Sequence, residues 1–324
     1  MTVAEVQRDR VTLHDGDFEC IARALPALVQ ALAIDDETLA VGDRVIAERN
    51  SLGEWWIGTR LPARTQLSRR DTHGHRQVLA ANVDTALLVM GLDGDYNLRR
   101  LDRYLALVRL AGVQPVVVLT KADACSDPQR RLAQVREHVP PGVDAVAVDG
   151  RDPRTRDVLA PWLQRGRTLV VLGSSGAGKS TLTNTLVESE VQDTGVVRHG
   201  DGRGRHTTTV RSLHRLAGGA CVIDTPGLRT LRLDTDDEGL SAVFDDIGRW
   251  ASRCRFRDCA HAGEPGCAVR EAVAPERVEN WRKLQREVRR DTLNALERKQ
   301  LAGQWKARSR LARIHQRAKR GDDD

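Results

Sequence analysis

GSSGAGKS, residues 173–180, decides how this chain is read. It follows the apolar run TLVVLG (168–173) and opens a helix-favouring stretch, KSTLTNTLVES (179–189). A glycine-rich turn between a strand and a helix is the context in which backbone N–H groups can surround phosphates. Lys179 supplies a point charge to β- and γ-phosphates, Ser180 a hydroxyl for Mg²⁺, and the helix N-terminus its dipole. The predicted cradle is Gly173, Ser174, Ser175, Gly176, Ala177, Gly178, Lys179, Ser180 and Thr181.

Downstream, ACVID ends in Asp224-Thr-Pro-Gly227. A carboxylate at a strand end after a phosphate loop suits the Mg²⁺ shell, and Gly227 can offer its N–H to a γ-phosphate. Between the two lies GDGRGRHTTT (200–209). A nucleotide-dependent switch needs a threonine here, and Thr207, Thr208 and Thr209 all qualify. Many GTPases orient the attacking water with Gln just after the Asp-x-x-Gly element. Leu228 stands there instead, so slow unassisted turnover is expected. His206 is the nearest candidate to position water.

Upstream, VVVLTKAD (116–123) raises a question of order. Guanine presents N1–H and an exocyclic amine side by side, and one carboxylate accepts both; adenine has no such pair. Asp123 is the expected base reader, with Thr120, Lys121 and Ala122 completing the loop and the Lys121 stem over the base. A site that hydrogen-bonds its substrate rejects analogues by roughly 10⁴ or more. Here the base loop precedes the phosphate loop, the reverse of the usual order. Strand ends that form a nucleotide site meet in space whatever their order along the chain, so a circularly permuted sheet resolves the conflict.

The surrounding pattern agrees. VDTALLVMGL (83–92), PVVVLTKAD (115–123), DAVAVD (144–149) and TLVVLG read as strands, and NLRRLDRYLALVRLAG (97–112) and PQRRLAQVREHV (128–139) as helices. Strands alternating with helices predict a parallel sheet covered on both faces. Residues 1–70 carry short β-favouring stretches with turn residues between them, as in a small barrel. Trp55 and Trp56 offer planes for base stacking, though a tryptophan of a small barrel is more often core. ARTQLSRRDTHGHR (63–76) is polar and basic and reads as a linker.

Three of six cysteines crowd together as Cys254-x₄-Cys259-x-His261-x₅-Cys267. Three thiolates and an imidazole satisfy tetrahedral Zn²⁺ without an open position, so a structural site is expected. Residues 281–324 hold fourteen Lys/Arg against six Asp/Glu, so the net charge of +6 belongs to this basic, helix-favouring tail. It predicts a polyanionic partner. No apolar stretch approaches the roughly 18 residues of a membrane span, and no secretory signal opens the chain. A cytoplasmic monomer without a membrane partner is expected.

The order of barrel, TKAD loop, GSSGAGKST, GRHTTT, DTPG and cysteine cluster, with QVLAANVD (77–84) and NLRRLDRYL (97–105), resembles the ribosome small-subunit-dependent GTPase A family. The resemblance implies an N-terminal OB-like β-barrel (1–70), a circularly permuted α/β P-loop GTPase domain (71–245) and a helical zinc-binding domain with a basic tail (246–324). It further implies a GTPase stimulated by the small (30S) ribosomal subunit during late maturation, with rRNA as partner and Zn²⁺ and Mg²⁺ with GTP or GDP as cofactors. Two other readings stand beside it. One is a P-loop phosphotransferase acting on a small metabolite; the other is an RNA-binding module that holds GTP with little hydrolysis.

Overall fold

The computed structural model describes residues 1–7, 9–34, 37–70, 76–187, 211–225, 232–233, 240–241 and 243–292. His206, Thr207, Thr208, Thr209, Gly227, Leu228 and the tail beyond 292 lie outside the described residues.

The N-terminal unit runs β1 (Thr2–Val6), β2 (Val11–His14), β3 (Glu19–Ala24), helix α1 (Pro26–Ile34), β4 (Val45–Arg49) and β5 (Trp55–Arg60). Strands pair in the order β1-β2-β3-β5-β4. A bridge between Thr2 and Arg44 brings β4 back to β1, with Val3 N–H donating to Asp43 O and Gly42 N–H to Val3 O, both at 2.8 Å. The five strands therefore close, which removes the unpaired edges that an open sheet of this size would expose. Alternate residues Val11, Leu13, Cys20 and Ala22 fill the interior with Val3, Val45 and Ile57. Trp55 packs against this core and lies 6.2 Å from the Phe18 ring, so it is structural; Trp56 is half-buried on the outside.

Of the stretch read as a linker, residues 66–70 and 76 are instead part of a sheet. Strand β6 (Gln66–Arg70) forms a hairpin with β7 (Arg76–Ala81). The strand forms because its single apolar residue, Leu67, is completely buried while partners satisfy its backbone.

Next come β8 (Thr85–Gly91), α2 (Leu98–Leu110), β9 (Gln114–Thr120), α3 (Pro128–His138), β10 (Asp144–Ala147), α4 (Thr155–Leu159), β11 (Thr168–Gly173) and α5 (Lys179–Val187). They are followed by β12 (Ser212–Arg215), β13 (Cys221–Asp224), β14 (Arg232–Leu233), α6 (Asp245–Ala251), α7 (Ala268–Ala272) and α8 (Pro275–Thr292). β14 joins the edge of β6. The central sheet has the order β10-β9-β8-β11-β13-β12, parallel except for β12. The strand that feeds the phosphate loop lies mid-sheet, between a strand encoded before it and one encoded after it. That is the permutation the motif order demanded.

Near-continuous apolar strands such as β8 are buried throughout, as expected when helices cover both faces. Asn97 caps α2 by accepting from Arg100 N–H, and Asp127 caps α3 likewise. The barrel joins this sheet through one antiparallel register, Glu5 opposite Ser212, so a single run of eleven strands crosses both units.

The C-terminal helices pack on α2 around Asp102, which is 1 % exposed. Its carboxylate meets His138 Nε2 at 2.8 Å, Arg277 Nη1 at 3.0 Å and Asn280 Nδ2 at 2.8 Å. Arg277 also donates to Asp246 and to Val243 O. The buried carboxylate is thereby satisfied from α3 and α8 at once.

Candidate functional site

Two loops from adjacent parts of the sheet converge. After β11 the chain turns at the phosphate loop, where Gly178 has φ +90° and lies against Thr120: a Cβ there would come within 3.1 Å of the Thr120 hydroxyl. Gly173 packs still closer, since a Cβ would sit 2.5 Å from Val89 O on β8. A side chain at Gly173 would require the β8 backbone to move, and one at Gly178 would strain a positive φ and crowd the Thr120 side chain.

Thr120, at the end of β9, is 1 % exposed, and its hydroxyl donates to Ala177 O at 2.6 Å. Lys121 adopts a left-handed φ of +59°, uncommon outside glycine. That conformation carries its ammonium onto the phosphate loop, where it donates to Gly176 O at 2.7 Å and to Asp93 Oδ2 at 2.6 Å. Asp123 follows, exposed, in a single 3₁₀ turn (Ala122–Ala124). Its carboxylate has no hydrogen-bond partner among the described residues and is free to take one. Ala122 N–H donates to Val148 O at 3.3 Å, so the segment after β10 closes the far side of the base loop.

On the phosphate side, Ala177 is buried, Ser174 and Gly178 are half-buried, and Ser175 and Gly176 are exposed. Ser180 and Thr181, on the first turn of α5, are also exposed. Lys179 is 6 % exposed and donates to Ser174 O at 2.7 Å. Burial pulls its pKa down, against the upward pull of Asp224 and Asp95. At the end of β13, burial raises the Asp224 pKa in spite of the Lys179 charge, and Asp224 Oδ1 is buried without a hydrogen-bond partner. A desolvated carboxylate oxygen beside the phosphate loop, with the Ser180 hydroxyl nearby in sequence order on α5, fits an oxygen-ligated divalent cation. Thr225, next to Asp224, anchors the strand end by donating to Val171 O at 2.6 Å.

Two carboxylates that sequence reasoning missed brace these loops. Asp95 accepts from the Ser174 hydroxyl, from Arg100 and from Gly91 N–H. Asp93 holds Lys121, and the ammonium, then the Asp95 amide, keep its carboxyl below the usual range. Both lie in GLDGD (91–95), whose only local signal was two acids at a strand end.

The cysteine cluster forms a second centre. The ligand atoms of Cys254, Cys259, His261 and Cys267 all lie within 4.8 Å of one another. Cys254 Sγ is 4.0 Å from Cys267 Sγ and 3.7 Å from His261 Nδ1, and Cys267 Sγ is 3.4 Å from the same nitrogen. A tetrahedron built on a Zn–S bond of about 2.3 Å has sulfur–sulfur edges of about 3.8 Å, so the donor set fits zinc. Burial, then the thiols of Cys267 and Cys254, push the Cys259 thiol up to about 11. Three thiolates this close need a cation among them. Burial, with a smaller push from Arg282, lowers the His261 pKa against the upward pull of Glu264, which favours the neutral form that ligates. Glu264, also missed, ties the loop by accepting from the amides of Ala260, Ala262 and Gly263. His261 is seated against Trp281 of α8, with ring centroids 5.5 Å apart.

The sequence model of the RsgA GTPase family matches residues 60–234, more than half of the chain and both loops of the cleft. A model of the ABC transporter family also matches, over residues 159–320, a segment that contains the phosphate loop but begins after Asp123. Among curated relatives, the small ribosomal subunit biogenesis GTPase RsgA of Xylella fastidiosa is 50 % identical over 254 residues, 74 % of each chain. The protein of that name from Xanthomonas oryzae is 47 % identical over 274 residues, 82 % of this chain and 74 % of the relative. Among solved structures, YjeQ from Thermotoga maritima superposes with a TM-score of 0.62 at 26 % identity, covering 89 % of this chain and 97 % of that one. YloQ, a circularly permuted GTPase, shares the fold with a TM-score of 0.60 at 24 % identity, covering 90 % and 96 %. Base loop, phosphate loop and permuted sheet all fall inside these matches: the chain is a GTP hydrolase and belongs to the RsgA GTPase family.

Proposed function

We propose that this GTPase acts in biogenesis of the small ribosomal subunit, that the subunit stimulates its turnover during late maturation, and that hydrolysis permits release of assembly factors. The names of the relatives support the setting. The observation that carries the mechanism is the pair of hydrogen bonds, Thr120 to Ala177 and Lys121 to Gly176, that ties the base loop to the phosphate loop. Asp123 and Lys179 then address one nucleotide.

In this reading Asp123 accepts the two guanine donors while Lys121 lies along the base. Amides of residues 173–181 cradle the phosphates, and Lys179 turns from Ser174 O towards the β- and γ-phosphate oxygens. Ser180 and Asp224 would hold Mg²⁺, which when bound neutralises charge on the phosphates, with one of Thr207, Thr208 and Thr209 completing its shell in the triphosphate state. Gly227 senses the γ-phosphate and His206 positions water. Cys254, Cys259, His261 and Cys267 hold a structural Zn²⁺. The barrel and the basic tail meet rRNA, so binding falls steeply with salt. The protein works as a cytoplasmic monomer; among the described residues no helix is long and apolar enough to cross a membrane.

Hydrolysis measured with and without small ribosomal subunits, with ATP as control, tests the proposal. Stimulation of GTP hydrolysis alone supports it. Equal rates in every combination would discard it.

A further inference from the structure

Between the barrel, α1 and the β6–β7 hairpin lies a cavity of about 690 Å³. Leu32, Leu39, Val41 and Leu79 give it apolar walls, Glu37 and Arg211 project charge into it, and the exposed Asp9 and Arg23 also line it. Glu37 and Arg211 differ in their company. Glu37 is already neutralised twice, by Arg76 Nη1 at 2.7 Å on one oxygen and by Arg60 on the other. The Arg211 Nε is buried without a hydrogen-bond partner, and no carboxylate pairs with that guanidinium among the described residues. Burial, then repulsion from Arg69, depresses its pKa. A guanidinium nevertheless keeps its charge and its planar fork of donors. Charges drawn away from water are otherwise paired, so this half-buried guanidinium, unpaired among the described residues, has donors to offer an occupant.

We propose that the cavity binds a small amphipathic anion, with its apolar body against Leu32, Leu39 and Leu79 and its acidic group accepting from Arg211. The volume lies within the range of about 300–1,000 Å³ typical of small-molecule sites, and the position, at the junction of two structural units, is where such sites concentrate. Arg211 also immediately precedes β12, the strand that pairs with the barrel through Ser212 and Glu5. An occupant would touch the barrel, the hairpin and the approach to that seam together. The site is separate from the nucleotide cleft and does not depend on the function proposed above.

The test uses the full chain and two fluorescent probes that share an aromatic body, 8-anilinonaphthalene-1-sulfonate and the uncharged N-phenyl-1-naphthylamine. The sulfonate should bind the wild type more tightly. Arg211→Gln should weaken the sulfonate by about tenfold or more, the size of a lost charge-assisted hydrogen bond, and leave the neutral probe unchanged. Arg211→Lys, which keeps the charge and loses the fork, should fall between them and serves if the glutamine variant does not fold. Ala33→Trp, at an exposed position on the cavity wall, should exclude both probes. Competition by 1-naphthoate and by 1-naphthyl phosphate identifies the acidic group; displacement by neither overturns the proposal. So does sulfonate binding that is absent, or equally tight in wild type and in the Arg211 and Ala33 variants.

Discussion

The Thr120 hydroxyl donates to Ala177 O at 2.6 Å across 57 residues of sequence, and both groups are buried. A residue of the base loop therefore fixes the shape of the phosphate loop. Thr120→Val keeps the volume and leaves the Ala177 carbonyl unsatisfied, which costs about 1–3 kcal/mol. The expected result is a lower denaturation midpoint together with weaker GDP binding, because the Thr120 hydroxyl is committed to Ala177 O. Unchanged GDP affinity with lowered stability would mean the tether serves folding alone.

Asp123→Asn exchanges two acceptor sites for one acceptor and one donor pair. It should move preference from GTP to xanthosine triphosphate, with guanine discrimination falling by roughly four orders of magnitude. Competition binding against both nucleotides reads this directly. Retained preference for GTP would assign base reading to another group.

Asp224 links stability to pH. Burial raises its pKa in the folded chain above the unfolded value, so the protonated form is favoured by folding. The associated stabilisation is present below the unfolded value and is lost as pH rises through the folded one. At neutral pH the ionised carboxylate opposes folding in the nucleotide-free protein. Asp224→Asn should therefore melt higher than wild type near pH 7 without nucleotide, the difference vanishing in acid, while Mg²⁺-dependent hydrolysis falls by about a hundredfold. Thermal melts across pH, paired with hydrolysis rates, separate the two effects.

Metal analysis should find about one equivalent of zinc per chain, and Cys259→Ser should abolish it. Chelation should unfold the 254–267 loop first and expose Trp281, whose ring packs at a tilt against His261. Tryptophan fluorescence during chelator titration follows the event. A chain that melts identically with and without chelator would show that the thiols need no metal.

Asp102 should be the most sensitive point between α2 and the C-terminal helices. Asp102→Ala leaves Arg277, 10 % exposed, without one of its two carboxylates. Breaking a buried pair from one side costs about 3–5 kcal/mol. Removing both partners, as in Asp102→Leu with Arg277→Met, should recover much of the loss, which a double-mutant cycle in denaturant would reveal.

What could be read from sequence was whatever declares itself locally. The helix α2 announced itself by apolar residues at helical spacing in NLRRLDRYLALVRLAG, and β8 and β11 by unbroken apolar runs. The two loops that the structure brings together stood out because phosphates and guanine, the groups expected there, each demand particular residue types next to one another. The hairpin of β6 and β7 was not, because one buried leucine among polar residues carries no period; its pairing is settled by partners elsewhere in the chain. Asp95 and Asp102 were invisible for the same reason. Nothing near Asp102 signals that Arg277, 175 residues on, will meet it.

The pairing of Glu5 with Ser212 makes the barrel and the nucleotide sheet one continuous girder. Torque applied to the barrel by anything that grips it reaches β12, three residues beyond Thr209, without crossing a hinge of loose chain. Lengthening that junction by inserted glycines would uncouple grip from turnover while leaving each intact.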